Sequence, residues 1–113
     1  MRRTPPLFRL FELEAMSQES AEKERKPIDV YEFLGVMLEQ ISSIAWQKLG
    51  LQPDIITGKL EPDLAQAKTA IDVTAELVKA IESQLDDEDK RRVQGLVRDL
   101  RVNWVHKNTE ASN

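Results

Sequence analysis

The sequence predicts an all-α fold: a long N-terminal helix, an ordered loop and a C-terminal antiparallel helical hairpin, with a dimeric helical bundle as the expected assembly. Two observations predict this class. Apolar residues recur every three or four positions in three segments, and capping residues, glycine or proline mark the segment ends. The only strand-like run, residues 55–57, is too short to count as a strand.

The first predicted helix runs from about Val30 to Leu49, with Asp29 as its N-cap and Gly50 as its C-terminal stop. At the helical repeat its apolar side chains fill an arc of about 160°, which is wider than one neighbouring helix needs. These side chains are Val30, Phe33, Leu34, Met37, Leu38, Ile41, Ile44, Ala45 and Leu49. Since two short helices would leave part of this arc uncovered, we expect a homodimer in which the first helices pack together.

A second helix is predicted from Pro62, at its first helical position, to about Gln84. Its apolar seam consists of Leu64, Ala67, Ile71, Thr74, Val78, Ile81 and Leu85. A third helix is predicted after its N-cap, Asp86, and should fade near His106. Its buried stripe consists of Val93, Leu96, Val97, Leu100 and Trp104. Because the connection between these helices is very short, they must be antiparallel neighbours.

Composition divides the chain into three parts. Residues 1–27 are predicted to be a flexible N-terminal extension, residues 28–106 the helical domain, and residues 107–113 a disordered C-terminal tail. Met16 stands just before a polar segment, so we expect it to be the natural start, with residues 1–15 as an upstream extension. A real N-terminal helix that docks or binds a partner is the alternative.

Composition also excludes several classes of function. The chain has no cysteine, which rules out disulfides, thiolate metal sites and cysteine nucleophiles and fits a cytoplasmic setting. Residues 28–113 hold 10 basic and 15 acidic side chains, so we expect no nucleic-acid partner. No apolar run approaches the roughly 18 residues of a membrane span, so we expect no membrane partner.

The loop between the first two helices is the most distinctive stretch. Its proline, aspartate and Thr-Gly pairs are turn formers. Its apolar side chains include Leu51, Ile55 and Ile56, so we expect the loop to lie against a surface. Trp46, on the polar side of the first helix with Gln47, is the natural platform. In the alternative, Trp46 and the loop residues form a patch that faces a partner.

A family resemblance rests on this same part of the chain. An Ala-Trp pair at 45–46 precedes Leu-Gly at 49–50, a Thr-Gly loop, Pro-Asp-Leu at 62–64 and Ile-Asp at 71–72. An acidic helix start at 86–89 and Asp-Leu-Arg at 99–101 follow. Over residues 28–106 the chain thereby resembles the bacterial family called domain of unknown function 1844 (DUF1844), although residues 80–87 depart from the family pattern. The resemblance implies a small helical bacterial protein, brings no established activity and carries over no catalytic residue.

No residue pattern indicates catalysis, a cofactor or a metal. His106 is the only histidine, the acidic run at 86–89 lacks calcium-loop spacing, and residues 57–59 lack the rest of a phosphate loop. We therefore predict that the protein is not an enzyme and has no cofactor. Asp72 and Arg101 are candidates for a buried ion pair, within the subunit or across a dimer, with two solvated charges as the alternative.

The function predicted from sequence is a non-catalytic, homodimeric protein-interaction module that binds an unidentified protein partner through Trp46 and the loop. The alternative is a small-molecule or nucleotide-binding regulator. Its anion site would form where the positive end of the second helix lies near Lys59.

Overall fold

The structure is a computed structural model that describes residues 26–112. The elements in chain order are α1 (Val30–Lys48), α2 (Leu64–Ile81), a short 3₁₀ turn (Glu82–Gln84) and α3 (Asp87–Ser112). The described part of the chain contains no strand, which confirms the all-α prediction. The predictions made for residues 1–25, including the flexible extension and the start at Met16, lie outside the described residues.

The end of α1 is fixed by a glycine in the left-handed conformation. Gly50 has a φ of 79°, a value that costs other residues energy. Its N–H donates to the carbonyl of Gln47 at 3.0 Å, and the Leu51 N–H donates to the carbonyl of Trp46 at 3.2 Å. These two hydrogen bonds form a Schellman motif, so the predicted stop at Gly50 is confirmed.

The start of α2 differs from the prediction. Asp63 is the N-cap, and its carboxylate accepts a hydrogen bond from the Gln66 N–H at 3.0 Å. The prediction that Pro62 is the first helical residue is therefore wrong, because the carboxylate of the next residue satisfies a free amide of the first turn. The Asp63 N–H also donates to the carbonyl of Lys48 at 2.8 Å, which ties this start to the end of α1.

The α2 and α3 helices form the predicted antiparallel hairpin. The Trp104 indole N–H donates to the carbonyl of Leu64 at 2.8 Å, while the Gln94 amide donates to the Glu82 carboxylate at 3.2 Å. The start of α2 therefore lies beside the late part of α3. Five residues of the predicted α2 seam are buried: Ala67, Ile71, Thr74, Val78 and Ile81.

The core consists of two clusters, and α1 contributes to both. The first contains Ala45, Leu49, Ala67, Ala70, Ile71 and Leu100. The second contains Leu38, Ala75, Val78, Ile81 and Val97. Because the late residues of α1 pack against the start of α2 and Leu38 packs against its end, α1 also runs antiparallel to α2.

The α3 helix begins as predicted and ends later than predicted. The Asp86 carboxylate accepts from the Asp89 N–H at 2.8 Å, which confirms the predicted cap. The expectation that the helix fades near His106 and gives way to a disordered tail at 107–113 is corrected for residues 107–112, because α3 continues to Ser112. The sequence contains no glycine or proline after Gly95 that would stop the helix.

Candidate functional site

The connecting loop is organised around one carboxylate. Asp54 Oδ1 accepts hydrogen bonds from the N–H groups of Ile56 at 2.8 Å and Thr57 at 3.0 Å. The Asp54 N–H donates to the carbonyl of Lys59, and its carbonyl accepts from the Gly58 N–H, both at 2.8 Å. The hydrogen bonds from the N–H groups of Thr57 and Ile56 lower the pKa of Asp54, and the charge of Lys48 lowers it further. Residues 54–59 therefore form a closed turn.

The loop is anchored to α1 through Gln47. This side chain is buried, although the sequence places it on the polar side of the helix. Its carbonyl oxygen accepts from the Ile55 N–H at 3.0 Å, and its amide lies 3.4 Å from the Ser43 hydroxyl. Sequence reasoning missed this residue because nothing in its type or spacing separates it from the exposed Gln40.

Trp46, the proposed platform for the loop, is only half-buried. Its indole packs against the first core cluster, which includes Ala45 and Leu49. The side-chain hydrogen bond that holds the loop to α1 runs to Gln47 instead. Trp46 therefore contributes partly to the core and is only partly available to the loop or to a partner.

The apolar side chains of the loop are exposed rather than buried. We call Leu51, Ile55, Ile56 and Leu60 the loop patch; all four are exposed. Ile55 and Ile56 are 64% and 79% exposed, respectively. The expectation that these side chains pack against a surface is not met, because the hydrogen bonds that fold the loop use backbone and polar groups. The loop thus holds an apolar patch in solvent.

A second exposed apolar surface lies along α1. Phe33, Met37 and Ile44 are 38%, 42% and 41% exposed. Together with exposed Gln40 they follow a spacing of 4, 3 and 4 residues, typical of a helix-pairing seam. We call these four residues the α1 seam. The hairpin covers only the other flank of the predicted arc.

The α1 seam lies in a stretch of low charge. Between residues 33 and 47 the only charged side chain is Glu39, although 32% of the whole chain is charged. At about 100° per residue, Glu39 lies well away from the seam. A solvent-facing side of a helix normally carries charge, so this composition is typical of a surface that is covered.

Asp72 and Arg101 lie close together within the chain. Their nearest side-chain atoms are 3.9 Å apart, and Asp72 also pairs with Lys68 at 3.1 Å. Both members of the α2–α3 pair are more than half exposed. The pair is therefore solvated and loose, not buried, and pairs of this kind contribute little to stability.

The described residues offer little to a metal or an anion. They contain no group of three or more His, Asp or Glu side chains that could hold a metal ion. The Asp63 carboxylate already occupies the start of α2, and the side chain of Lys59 is exposed. None of the helices in residues 26–112 is both long and apolar enough to cross a membrane.

The fold and its surface define a class: a small all-α protein in which a long helix packs on an antiparallel hairpin. Within this class, the model of the family described as a domain of unknown function (DUF1844) matches residues 30–106. The match covers well over half of the chain, so the protein belongs to this family. No curated protein and no solved structure matches the chain.

Proposed function

We propose that the protein is a non-catalytic interaction module of the cytoplasm, which forms a homodimer through α1 and binds another protein through the loop patch. The observation that carries the proposal is the α1 seam, an exposed apolar stripe without charge. Within residues 26–112 the hairpin does not cover it, since α2 and α3 pack on the opposite flank of the same helix.

Covering the α1 seam would be favourable. Apolar surface removed from water contributes about 25 cal/mol per Å². Phe33, Met37 and Ile44 lie on a regular helix, so their backbone is already ordered and only side-chain rotamer freedom is lost on binding. Charge is also depleted at the centres of protein interfaces, as it is here.

The loop patch supports the second part of the proposal. Ile55 and Ile56 stand on a turn that is fixed by Asp54 and Gln47 before any partner arrives. A preorganised apolar tip binds with a smaller ordering cost than a flexible loop does. We include Trp46, which is half-exposed, in the proposed binding surface.

The alternative, a small-molecule or nucleotide-binding regulator, has less support. The Asp63 carboxylate already accepts from the Gln66 N–H at the start of α2, and its negative charge would repel an anion bound there. The hollow beside Val73 on α2 is shallow and open and does not enclose a ligand. No described feature favours this function over the interaction module.

Light scattering coupled to size exclusion tests the homodimer. From about 1 to about 100 µM, a range that brackets a weak interface, the mass of the wild type should rise towards twice that of one chain. Ile44→Glu should remain monomeric because it places a charge in the seam. Val73→Glu is the matched control, since Val73 is 43% exposed on α2, and this variant should still dimerise. A wild type that stays monomeric throughout would contradict the proposal.

Affinity capture from a lysate of the source organism tests the loop patch. We expect wild type and Val105→Glu, a change at an exposed site on α3, to retain the same partner protein. Ile56→Glu should lose it while its dimer mass stays unchanged. Equal capture by all three proteins would remove the loop patch from the proposal.

A further inference from the structure

We infer that the α1 seam pairs with the seam of a second copy in antiparallel orientation, with Phe33 of one chain opposite Ile44 of the other. The inference rests on the proposed homodimer and adds its geometry. In this register Met37 faces Gln40, so each of the four seam positions meets a seam position of the partner. The two-fold axis passes between the positions of Leu38 and Glu39.

A second copy is the occupant that the seam chemistry favours. In paired helices the residues beside the seam set the choice of partner, usually through their charges. Here Val36 and Ser43 flank the seam on its open side, and both are uncharged. The seam thus carries no charge that would select a different helix. It also carries none that would repel its own copy, although residues 28–113 are acidic overall.

The loop determines the orientation. Continuing the spacing of 4, 3 and 4 residues, the next seam position is Gln47, but the protein's own loop covers it through the hydrogen bond from Ile55. A parallel pair would bring the Gln47 ends of both α1 helices together, and the loops that cover them would hold the helices apart there. An antiparallel pair places the two loop-covered ends at opposite ends of the interface. Opposed helix dipoles add a small favourable contribution.

Gln40 fixes the register. In the inferred register the two Gln40 positions lie three residues apart along the helices, an axial offset of about 4.5 Å. A glutamine side chain both donates and accepts hydrogen bonds, so the two amides can bond to each other across the axis. One polar residue within an apolar seam specifies register at some cost in affinity. Antiparallel registers that move the two Gln40 positions a further heptad apart would bury each amide without a partner.

The size of the seam predicts a weak dimer. A helix of the length of α1 is about 28 Å long, and its four seam positions cover only part of that length. Stable interfaces bury roughly 800 Å² on each partner, which exceeds what a single helix pair of this length provides. We therefore expect dissociation in the micromolar range.

Disulfide trapping tests the orientation in the full chain, which has no native cysteine to interfere. Phe33→Cys and Ile44→Cys are oxidised separately and as an equimolar mixture at about 100 µM, above the expected dissociation constant. The mixture should form a covalent dimer that joins the two different chains. Each variant alone should form several-fold less, because identical positions lie about 16 Å apart along the helices, beyond disulfide reach. Val105→Cys reports random collision.

The possible results separate this inference from the proposed function. If each variant alone crosslinks as efficiently as the mixture, the helices are parallel; the antiparallel geometry is then wrong and the homodimer stands. If nothing exceeds the Val105→Cys background and the wild type scatters as a monomer, the proposed homodimer itself is wrong.

Gln40→Leu provides a second measurement. We expect its dimer to be several-fold tighter, because an apolar side chain replaces the amide in the seam. In this background the preference for the mixed disulfide should weaken, since antiparallel registers shifted by a heptad no longer bury an unpaired amide. An unchanged crosslinking pattern would show that Gln40 does not set the register.

Discussion

At the scale of single residues, the connection between α1 and α2 depends on three side-chain choices. Gly50 allows the left-handed turn that ends α1, Gln47 holds the loop to the helix, and Asp54 closes the turn at the tip. Each acts through the backbone, so each can be removed without changing the apolar pattern. Each of the three residues therefore makes a separate contribution to the connection that a single substitution can remove.

Gly50→Ala should destabilise the protein more than Gly58→Ala. Both glycines have positive φ, 79° and 73°, so an alanine costs about 1–2 kcal/mol at either site. A Cβ at Gly50 would also lie 3.0 Å from the Cβ of Pro62, whereas nothing lies within 4 Å at Gly58. Urea denaturation at one protein concentration should therefore show about 1–3 kcal/mol of additional loss for Gly50→Ala. Equal losses would exclude the contact with Pro62.

The contribution of Asp54 to stability should depend on pH. Hydrogen bonds from Thr57 and Ile56 lower the pKa of the folded carboxyl below its ordinary value of about 3.9. Its stabilisation is therefore complete above that value and is lost as pH falls through the folded pKa. The difference in unfolding free energy between wild type and Asp54→Asn should be present at about pH 6 and should shrink as pH falls below the ordinary pKa of an aspartate, through the lowered pKa of the folded carboxyl. A difference that does not change with pH would contradict this assignment.

Gln47 shows where residue-level prediction from sequence fails. Period and polarity place a glutamine on the solvent side of a helix, and for Gln40 that placement is right. For Gln47 that placement is wrong, because the loop folds back over the side chain and buries it. The Ile55 N–H donates to its carbonyl oxygen. The length of the loop is visible in the sequence, but the path of its backbone is not.

At the scale of elements, the width and regularity of each helix's apolar pattern explain which predictions succeed. The α2 seam is narrow and almost strictly periodic, so its burial against α3 follows directly from spacing. The apolar arc of α1 is too wide for its two flanks to be told apart by period alone. Only the structure shows that Leu38 and Ala45 face the hairpin while Met37 and Ile44 do not.

The last turns of α3 should be dispensable for folding. Residues 108–112 are exposed, and the last residue of α3 that packs on a core cluster is Trp104. Truncation after Lys107 should change the free energy of unfolding by less than about 0.5 kcal/mol, as exposed helix ends usually do. Truncation after Asn103 serves as the positive control, because it removes the indole and its hydrogen bond to Leu64. A large loss of unfolding free energy on truncation after Lys107 would show that the end of α3 packs against another part of the protein.

The loop should loosen as a unit when its anchor is removed. Gln47→Ala leaves the Ile55 N–H without its acceptor, so amide exchange in residues 54–59 should accelerate while exchange in α2 does not. Gln52→Ala, a change of the same type at an exposed loop position, is the control and should leave the exchange rates unchanged. Equal protection in all three proteins would mean that the anchor is elsewhere.

At the scale of the whole molecule, charge and assembly are linked. The chain has a net charge of −4, yet the surface proposed for pairing is almost neutral. Long-range repulsion between copies is screened by salt, while contacts within an uncharged seam are not. The proposed dimer should therefore survive conditions that dissolve charge-driven complexes.

Salt provides a simple measurement of this property. Raising the salt concentration from about 0.1 M to about 1 M should leave dimer affinity unchanged or increase it slightly, because only the repulsion is screened. Sedimentation equilibrium at both concentrations determines the affinity. A large loss of affinity at high salt would point to ion pairs across the interface and away from the α1 seam.

The two tryptophans, Trp46 and Trp104, both pack against the first core cluster, and neither packs against the second. Tryptophan fluorescence therefore reports on unfolding of the first core cluster. It does not report directly on the second cluster, which contains Leu38 and Val97. Thermal unfolding can be followed by tryptophan emission and by backbone circular dichroism. Different melting temperatures from the two signals would show that the two core clusters unfold separately. Identical melting curves would mean that the two clusters unfold together.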